Sequence, residues 1–408
     1  MEDTATLTRR MGALRRNQRA VPCWFMRGGS TRGGVFLASD LPTDPRERAA
    51  LLLAIYGSPD PRQLDGIGGG DPATSKAAVV GPSARPDADV DYTFLQIGID
   101  RPEVSSNGNC GNMASAAAAF AVLAGLVPAD APETHVRVFT TNTGQIVTVT
   151  VPVADGAPVV DGDCAIPGVP VPGARMMLDF GDCAGAVTGR LLPTGSVIDR
   201  VPLGGREIEV SLVDATTAFV FVAAADVGAT GRETPDEILA DTALRDRLET
   251  VRGWAATAMG LSPTPGEARA LTPNTPRIMM VAPPDEYCDL GGRTVTADAH
   301  DLMVRQIATP RPHRALAVVG AVCCSVATAI EGTVAHRAAN QAATAAGGTL
   351  RLGHPSGVLR VDSRVSRDNS GAWTVQSARI ERTARLLSEG IAYASETRIA
   401  ALRAIVEI

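Results

Sequence analysis

The sequence predicts an α+β protein of two similar halves, each with strands around one buried helix. Three observations predict this. The order of elements is written twice along the chain. Runs such as Ile146–Val151, Val210–Val213 and Val358–Val361 carry the apolar alternation and β-branched content of strands. The Ala-rich runs that follow Cys110 and Cys323 are apolar on nearly every face, as helices buried on all sides must be.

The repeat begins with a short apolar strand ending in aspartate, Thr31–Asp40 in the first half and Thr217–Asp226 in the second. A helical pattern follows each, over Pro45–Tyr56 and Pro235–Met259. The third element starts at Lys76 in one half and Arg277 in the other, which places these two cations at equivalent points. The fourth is a small-residue helix with a cysteine near its start, from about Cys110 to Leu126 and from about Gly320 to Ile330. Each is followed by a glycine turn and a strand. Gly144 and Gly357 stand at equal distances from Cys110 and Cys323, which pairs the two thiols. Order retained over four elements points to duplication. Gly and Thr punctuate Ala184–Gly195, the expected linker. The expected domains are therefore 21–190 and 191–400, with the extreme C-terminus free to return to the first, and the site is expected between the halves.

Composition narrows the function. At 408 residues, 45% hydrophobic and 20% charged, the chain is globular with room for more than one core. Only 4% is aromatic and the net charge is −6, which argues against a nucleic-acid partner. No apolar run reaches membrane length, and no signal peptide is evident, so a cytoplasmic enzyme with reduced thiols is expected. Seven cysteines show no CxxC spacing, and the five histidines are scattered, so neither a metal nor another cofactor is expected.

Of the 38 Lys and Arg residues, one is lysine, Lys76. A surface charge can come from either residue, but only lysine can give up its proton near neutral pH. The second sharp feature is Ser105-Ser106-Asn107-Gly108-Asn109-Cys110-Gly111-Asn112, a turn leading directly into an Ala-rich helix. It puts Cys110 at a helix N-terminus, where unpaired amides favour an anion and a thiol becomes a better acid–base group. Cys23, Cys164, Cys183 and Cys288 lack such a setting and read as structural. Cys323 has apolar neighbours, and a packed interior thiol is as good a reading for it as a reactive one. The loop Met26-Arg27-Gly28-Gly29-Ser30-Thr31-Arg32-Gly33-Gly34 offers hydroxyls, amides and arginines to a carboxylate but lacks the ending of a phosphate loop.

Taken in order, the segments Met26-Arg27-Gly28-Gly29, Gly57-Ser58-Pro59-Asp60-Pro61, Leu64-Asp65-Gly66-Ile67-Gly68-Gly69, Thr74-Ser75-Lys76, Gly108-Asn109-Cys110-Gly111-Asn112, Leu192-Pro193-Thr194-Gly195 and Gly353-His354-Pro355-Ser356-Gly357 resemble the 2-methylaconitate cis–trans isomerase (PrpF) family. That family includes 4-oxalomesaconate tautomerases and methylitaconate isomerases. The resemblance runs from about residue 21 to 400. It implies the diaminopimelate epimerase fold and a cofactor-independent movement of a proton across an allylic unit. The implied partner is a small unsaturated di- or tricarboxylate, with no nucleic acid and no membrane; a homodimer is allowed but not required. The matching catalytic positions are Lys76 and Cys110. The expected substrate-binding set is Arg27, Ser30, Thr31, Ser75, Asn107, Gly111, Asn112 and Thr143 in the first half, with Arg277, His313, Gly320 and Ser356 in the second. The chain departs from the family in its first loop, where Ser30-Thr31-Arg32 replaces Thr-Ser-Lys, and at Asp214-Ala215-Thr216-Thr217-Ala218, where a proline is usual. Two other readings are a two-thiol racemase or epimerase using Cys110 and Cys323, and a non-catalytic carboxylate binder. Lys76 speaks against the first, and retention of both Lys76 and Cys110 against the second.

Overall fold

The computed structural model describes residues 17–106, 109–181, 183–308, 311–340 and 349–408. Asn107 lies outside them. The chain forms two compact units: 1–164 with 172–176 and 382–408, and 165–171 with 177–381. The division thus falls at 164–177, ahead of the expected 190/191 boundary. Ala184–Gly195 belongs inside the second unit, where the Gly185 amide donates to the Asp214 carbonyl and the Asp214 amide to that of Leu191.

In the first unit the strands are β1 (Gln18–Gly28), β2 (Thr31–Leu37), β3 (Lys76–Pro82), β4 (Val90–Ile97), β5 (Glu133–Thr140) and β6 (Gln145–Ala154). Its helices include α1 (Pro45–Tyr56) and α2 (Gly111–Leu123), with a C-terminal helix, Glu396–Ile405, packed on α1. A C-terminal strand, Ala384–Ser395, pairs antiparallel with β1. From there the sheet runs β1, β2, β3, β4, β5, β6, with β2–β3 and β4–β5 parallel and the other pairs antiparallel. α2 touches all six strands and the C-terminal strand. Its Ala116–Ala119 run is buried, and small side chains let backbone approach on every side. At Gly28 an added Cβ would lie 2.1 Å from the Asn112 carbonyl oxygen. Phe120 is the large exception, packed edge-on to Trp24 at 5.0 Å between centroids.

The opposite face of the sheet carries α1. Asp44 caps it by accepting from the Glu47 amide, Pro45 starts it, and Gly57, at φ 77°, ends it. The residues Leu51–Tyr56 bury against Ala77, Val79 and Leu95. Since side chains alternate along a strand, Lys76, Ala78 and Val80 are left on the α2 face.

The second unit repeats this plan. Its strands are β7 (Asp199–Leu203), β8 (Arg206–Ala215), β9 (Thr217–Ala223), β10 (Arg277–Ala282), β11 (Leu302–Ala308), β12 (Leu350–His354), β13 (Gly357–Arg367) and β14 (Trp373–Arg382). The helical stretch expected over Pro235–Met259 is split at Asp241 into α3 (Pro235–Ala240) and α4 (Thr242–Ala258), because Asp241 leaves the helical region to cap the second piece. The small-residue helix is α5 (Val318–Ala329). The pairings β8–β9, β9–β10, β10–β11, β11–β12 and β12–β13 have the same senses as β1–β2, β2–β3, β3–β4, β4–β5 and β5–β6. The register is the same too. Gly33, two residues into β2, stands opposite Lys76, and Phe219, two residues into β9, stands opposite Arg277. The equivalence of Lys76 and Arg277 therefore holds in the backbone. The observed fold is the expected α+β, diaminopimelate epimerase-like arrangement of strands around a central helix in each unit.

Gly33 has no room for a side chain. A Cβ there would lie 1.7 Å from the Lys76 carbonyl oxygen, at the first residue pair of the β2–β3 ladder. Gly33→Ala is expected to destabilise the protein by about 2 kcal/mol or more, read by urea unfolding. Gly390→Ala, at an open position with nothing within 4 Å, serves as the control and is expected within about 0.5 kcal/mol of wild type.

Candidate functional site

Lys76 opens β3 with a fixed backbone. The Tyr56 hydroxyl, buried at the end of α1, donates to the Lys76 carbonyl and accepts from the Gly34 amide at 2.8 Å, so it bridges β2 and β3. The amine points to the α2 face. Nζ donates to Gln96 Oε1 at 2.6 Å and lies 4.9 Å from the centre of the Phe94 ring. Gln96 is the residue directly opposite on β4. Phe94 is held in turn by Asn142, which accepts from its amide at 2.7 Å and donates to its carbonyl at 2.9 Å.

Cys110 is half-buried, free of any disulfide, and the N-cap residue of α2. The Cys110 side chain makes no capping hydrogen bond, so the first-turn amides of Gly111, Asn112 and Met113 receive no partner from it. The Tyr92 hydroxyl donates to the Cys110 carbonyl at 3.1 Å. Burial, and then the nearby Cys110 sulfur, hold the Tyr92 phenol well above its ordinary pKa. Tyr92, Phe94 and Gln96 alternate along one strand and so share its α2 face. This single stripe of β4 touches both Lys76 and Cys110.

Around the start of α2 lies a polar cluster. Asn112 donates to Ser30 Oγ at 3.1 Å and accepts from Arg382 Nε at 2.8 Å. Gly29 must be glycine there, since its φ is 49° and a Cβ would meet Asn112 Oδ1 at 2.1 Å. Arg27 braces the same turn, donating through one nitrogen to the Gly29 carbonyl, the Thr383 carbonyl and Thr383 Oγ1 at 2.9–3.0 Å. Burial, and then Arg385 opposite it, lower the Arg27 pKa. The region is thus positive in charge as well as rich in donors.

Of the residues expected in the first half, the structure brings Arg27, Ser30, Gly111, Asn112 and Cys110 together at the start of α2, with Lys76 on β3 against the stripe of β4 that also meets Cys110. Three others have structural tasks. Thr31 is buried and donates to the Gly28 carbonyl at 3.0 Å. Thr143 hydrogen-bonds Thr140 at 2.7 Å inside its turn. Ser75 is fully buried and donates to Gln63 Oε1 at 2.6 Å, away from Lys76, so its hydroxyl supports the Gln63 loop rather than a ligand. Tyr56, Tyr92, Phe94, Gln96, Asn142 and Arg382 were not expected. They neighbour Lys76 and Cys110 only through strand register and the return of the C-terminal segment, which no local motif announces.

In the second unit, Arg277 opens β10, and burial lowers its pKa; its Nε is buried without a partner. Gly320 lies in the first turn of α5, where a Cβ would meet Gln306 Oε1 at 2.4 Å. Gln306 accepts from the Ala317 amide at 3.1 Å. His313 is exposed, and its ring accepts from the Ala315 amide at 3.1 Å; the Ser356 hydroxyl donates to the Arg314 carbonyl at 2.7 Å. These two hydroxyl and ring contacts tie down turns. At the Asp214–Ala218 departure, Thr216 takes a left-handed φ of 66° and donates to the Val319 carbonyl at 2.9 Å, which fastens the turn to the first turn of α5.

The pairing of Cys323 with Cys110 is corrected. The N-cap residue of α5 is Ala317, so Ala317 occupies the place of Cys110. Cys323 lies two turns further on, fully buried, with its sulfur 3.6 Å from the Val213 carbonyl. Burial above all raises its pKa well above the ordinary thiol value. A racemase built on Cys110 and Cys323 does not fit this geometry. Cys23, Cys164 and Cys183 are buried as expected of structural thiols, whereas Cys288 is exposed.

Comparison with known proteins agrees with the fold. The chain is 40% identical to the 3-methylitaconate isomerase of Eubacterium barkeri, over 94% of this chain and 99% of that one. It is 40% identical to the (4E)-oxalomesaconate Delta-isomerase of Novosphingobium sp. (strain KA1), over 93% and 98%, and 38% identical to the 2-methyl-aconitate isomerase of Shewanella oneidensis, over 91% and 96%. The crystal structure of methylitaconate-delta-isomerase superposes with a TM-score of 0.82 at 39% identity, covering 94% of this chain and 97% of that one. The class is therefore isomerase. More narrowly, the chain belongs to the PrpF protein family, which it matches over residues 18–395. Among the described residues no helix is long and apolar enough to cross a membrane.

The Tyr56 bridge anchors Lys76, and its loss is measurable. Tyr56→Phe leaves the Gly34 amide and the Lys76 carbonyl without their shared partner in a buried place. The expected loss is about 1–3 kcal/mol in chemical denaturation. A variant as stable as wild type would show that the bridge does not hold the strand pair.

Proposed function

We propose that this isomerase moves a proton between the ends of an allylic unit in an unsaturated di- or tricarboxylate, an acid of the kind its relatives are named for. Lys76 and Cys110 are the acid–base pair in this reading. One observation carries it: the chain's single lysine and an uncapped, thiol-bearing helix N-terminus are served by one stripe of β4.

The chemistry follows from what the groups can do. A C–H bond next to a double bond and a carboxylate is acidic only if the resulting dienolate is stabilised. Lys76, as the free amine, takes the proton; the C–H bond breaks, an N–H bond forms, and the electron pair spreads toward the carboxylate. The first-turn amides of α2, the positive end of its dipole and the Arg27–Arg382–Asn112 cluster favour that charge. The Cys110 thiol then delivers a proton to the far carbon, and the double bond has moved. The thiolate left behind lies at the helix N-terminus, where negative charge is favoured, and proton exchange with the lysine ammonium or solvent resets the pair. Asn112 and Ser30 orient a carboxylate, because a proton shift over three carbons needs the reacting carbon fixed in place.

The test is proton NMR in deuterium oxide with a panel of aconitate-like acids. Wild type is expected to wash deuterium into an allylic position of its substrate. Lys76→Arg is expected to fold normally but to turn over about 100-fold more slowly or worse, because arginine keeps its proton. Cys110→Ser is expected to lose at least about tenfold more rate than Cys323→Ser, roughly 1.4 kcal/mol of barrier. A well-folded Lys76→Arg variant with near wild-type turnover would refute the assignment.

A further inference from the structure

We propose that Gln96 is the positioning residue of Lys76: an uncharged acceptor that fixes the amine in space while leaving its proton free to move. The inference rests on the reading of Lys76 as the base. It comes from how the Gln96 amide is held. Nε2 donates to the Ser75 carbonyl at 2.9 Å and to the Pro72 carbonyl at 3.3 Å. Those two carbonyls can only accept, so they fix which end of the amide faces them. Oε1 is left pointing across the strand pair, where it accepts from Lys76 Nζ at 2.6 Å. Flipping the amide would set Oε1 against two carbonyls and Nε2 against the amine.

The same arrangement selects against a carboxylate. A glutamate at 96 would turn an oxygen toward the Ser75 and Pro72 carbonyls, with no hydrogen between them unless it were protonated. It would also place a negative charge beside the amine and hold it as ammonium. Glutamine does neither. Its carbonyl can accept from an ammonium and, more weakly, from a neutral amine, so the contact survives both halves of a proton-transfer cycle. The Phe94 ring, held by Asn142, lies against a second side of Nζ, 4.9 Å from the ring centre, and limits where it can swing. Lys76 is thus steered by two neutral groups that share one face of β4.

The test uses the whole protein and two variants, Gln96→Glu and Gln96→Met. Two readouts are taken: the pH dependence of kcat and kcat/KM, and the titration of the lysine ε-carbon by 13C NMR. Protein labelled with ε-13C lysine carries one such signal, since the chain has one lysine. Gln96→Glu is expected to move the acid limb of kcat/KM, and the NMR midpoint with it, to higher pH by about one pH unit or more. Gln96→Met keeps the size without the acceptor. It is expected to leave the limb in place, to lower kcat by at least about tenfold through misplacement of the amine, and to change KM by less than about threefold. Wild-type kcat in Gln96→Met, or an unmoved NMR midpoint in folded Gln96→Glu, would overturn the proposal. Should the glutamate variant fail to fold, Gln96→Met decides alone. The NMR midpoint does not depend on turnover, so it judges the Gln96–Lys76 contact even where Lys76→Arg shows the lysine is not the base.

Discussion

The closeness of β2 to β3 at Gly33 is the constraint on which the rest of the first unit depends. Nothing larger than hydrogen fits between Gly33 and the Lys76 carbonyl. The Tyr56 hydroxyl pins the same carbonyl from the α1 side. Together they set the position and direction of the first residue of β3. Because side chains alternate, that choice sends the lysine to the α2 face and its neighbour Ala77 to the α1 core. A slip of one residue would exchange them, burying an amine among Leu51–Tyr56 and setting an alanine on the α2 face where the lysine stands. Packing and chemistry are therefore fixed by one contact.

The two units show what duplication followed by divergence does to such a position. The backbone places Arg277 where Lys76 stands, Ala317 where Cys110 stands and Gln306 where Phe94 stands. In each case the member chemically able to exchange a proton, or the apolar one, is in the first unit and a group without that property is in the second. An arginine keeps its proton, and an alanine has none to give. The second unit retains a half-buried arginine whose Nε is buried, and a helix start where Ala317 offers no side-chain cap, features suited to holding charge rather than moving protons. The acid–base reading of this protein accordingly falls on one unit, in contrast to a symmetrical two-thiol mechanism.

Much of this was legible in the sequence because it is written in local patterns. The helix over Pro45–Tyr56 is bounded by its own cap, proline and glycine, and its observed limits agree with the pattern. The turn into the Ala-rich helix announced Cys110, and the rarity of lysine announced Lys76. The pairing of Cys323 with Cys110 failed for an identifiable reason. It relied on equal spacing to Gly144 and Gly357, but the connection from helix to next strand is longer in the second unit: nine residues separate α2 from β5, and twenty separate α5 from β12. Gln96, Asn142 and Arg382 were invisible for another reason. They reach Lys76, Phe94 and Asn112 respectively, across strands or from the far end of the chain, and such contacts depend on register and topology, which no window of sequence contains.

The central claim, that the single lysine carries the proton, is tested most directly by chemical rescue. Lys76→Ala should be inactive, and adding small primary amines should restore turnover, with the rescued rate rising as the basicity of the amine rises. Rates that ignore amine basicity, or a Lys76→Ala protein that turns over unaided, would contradict it.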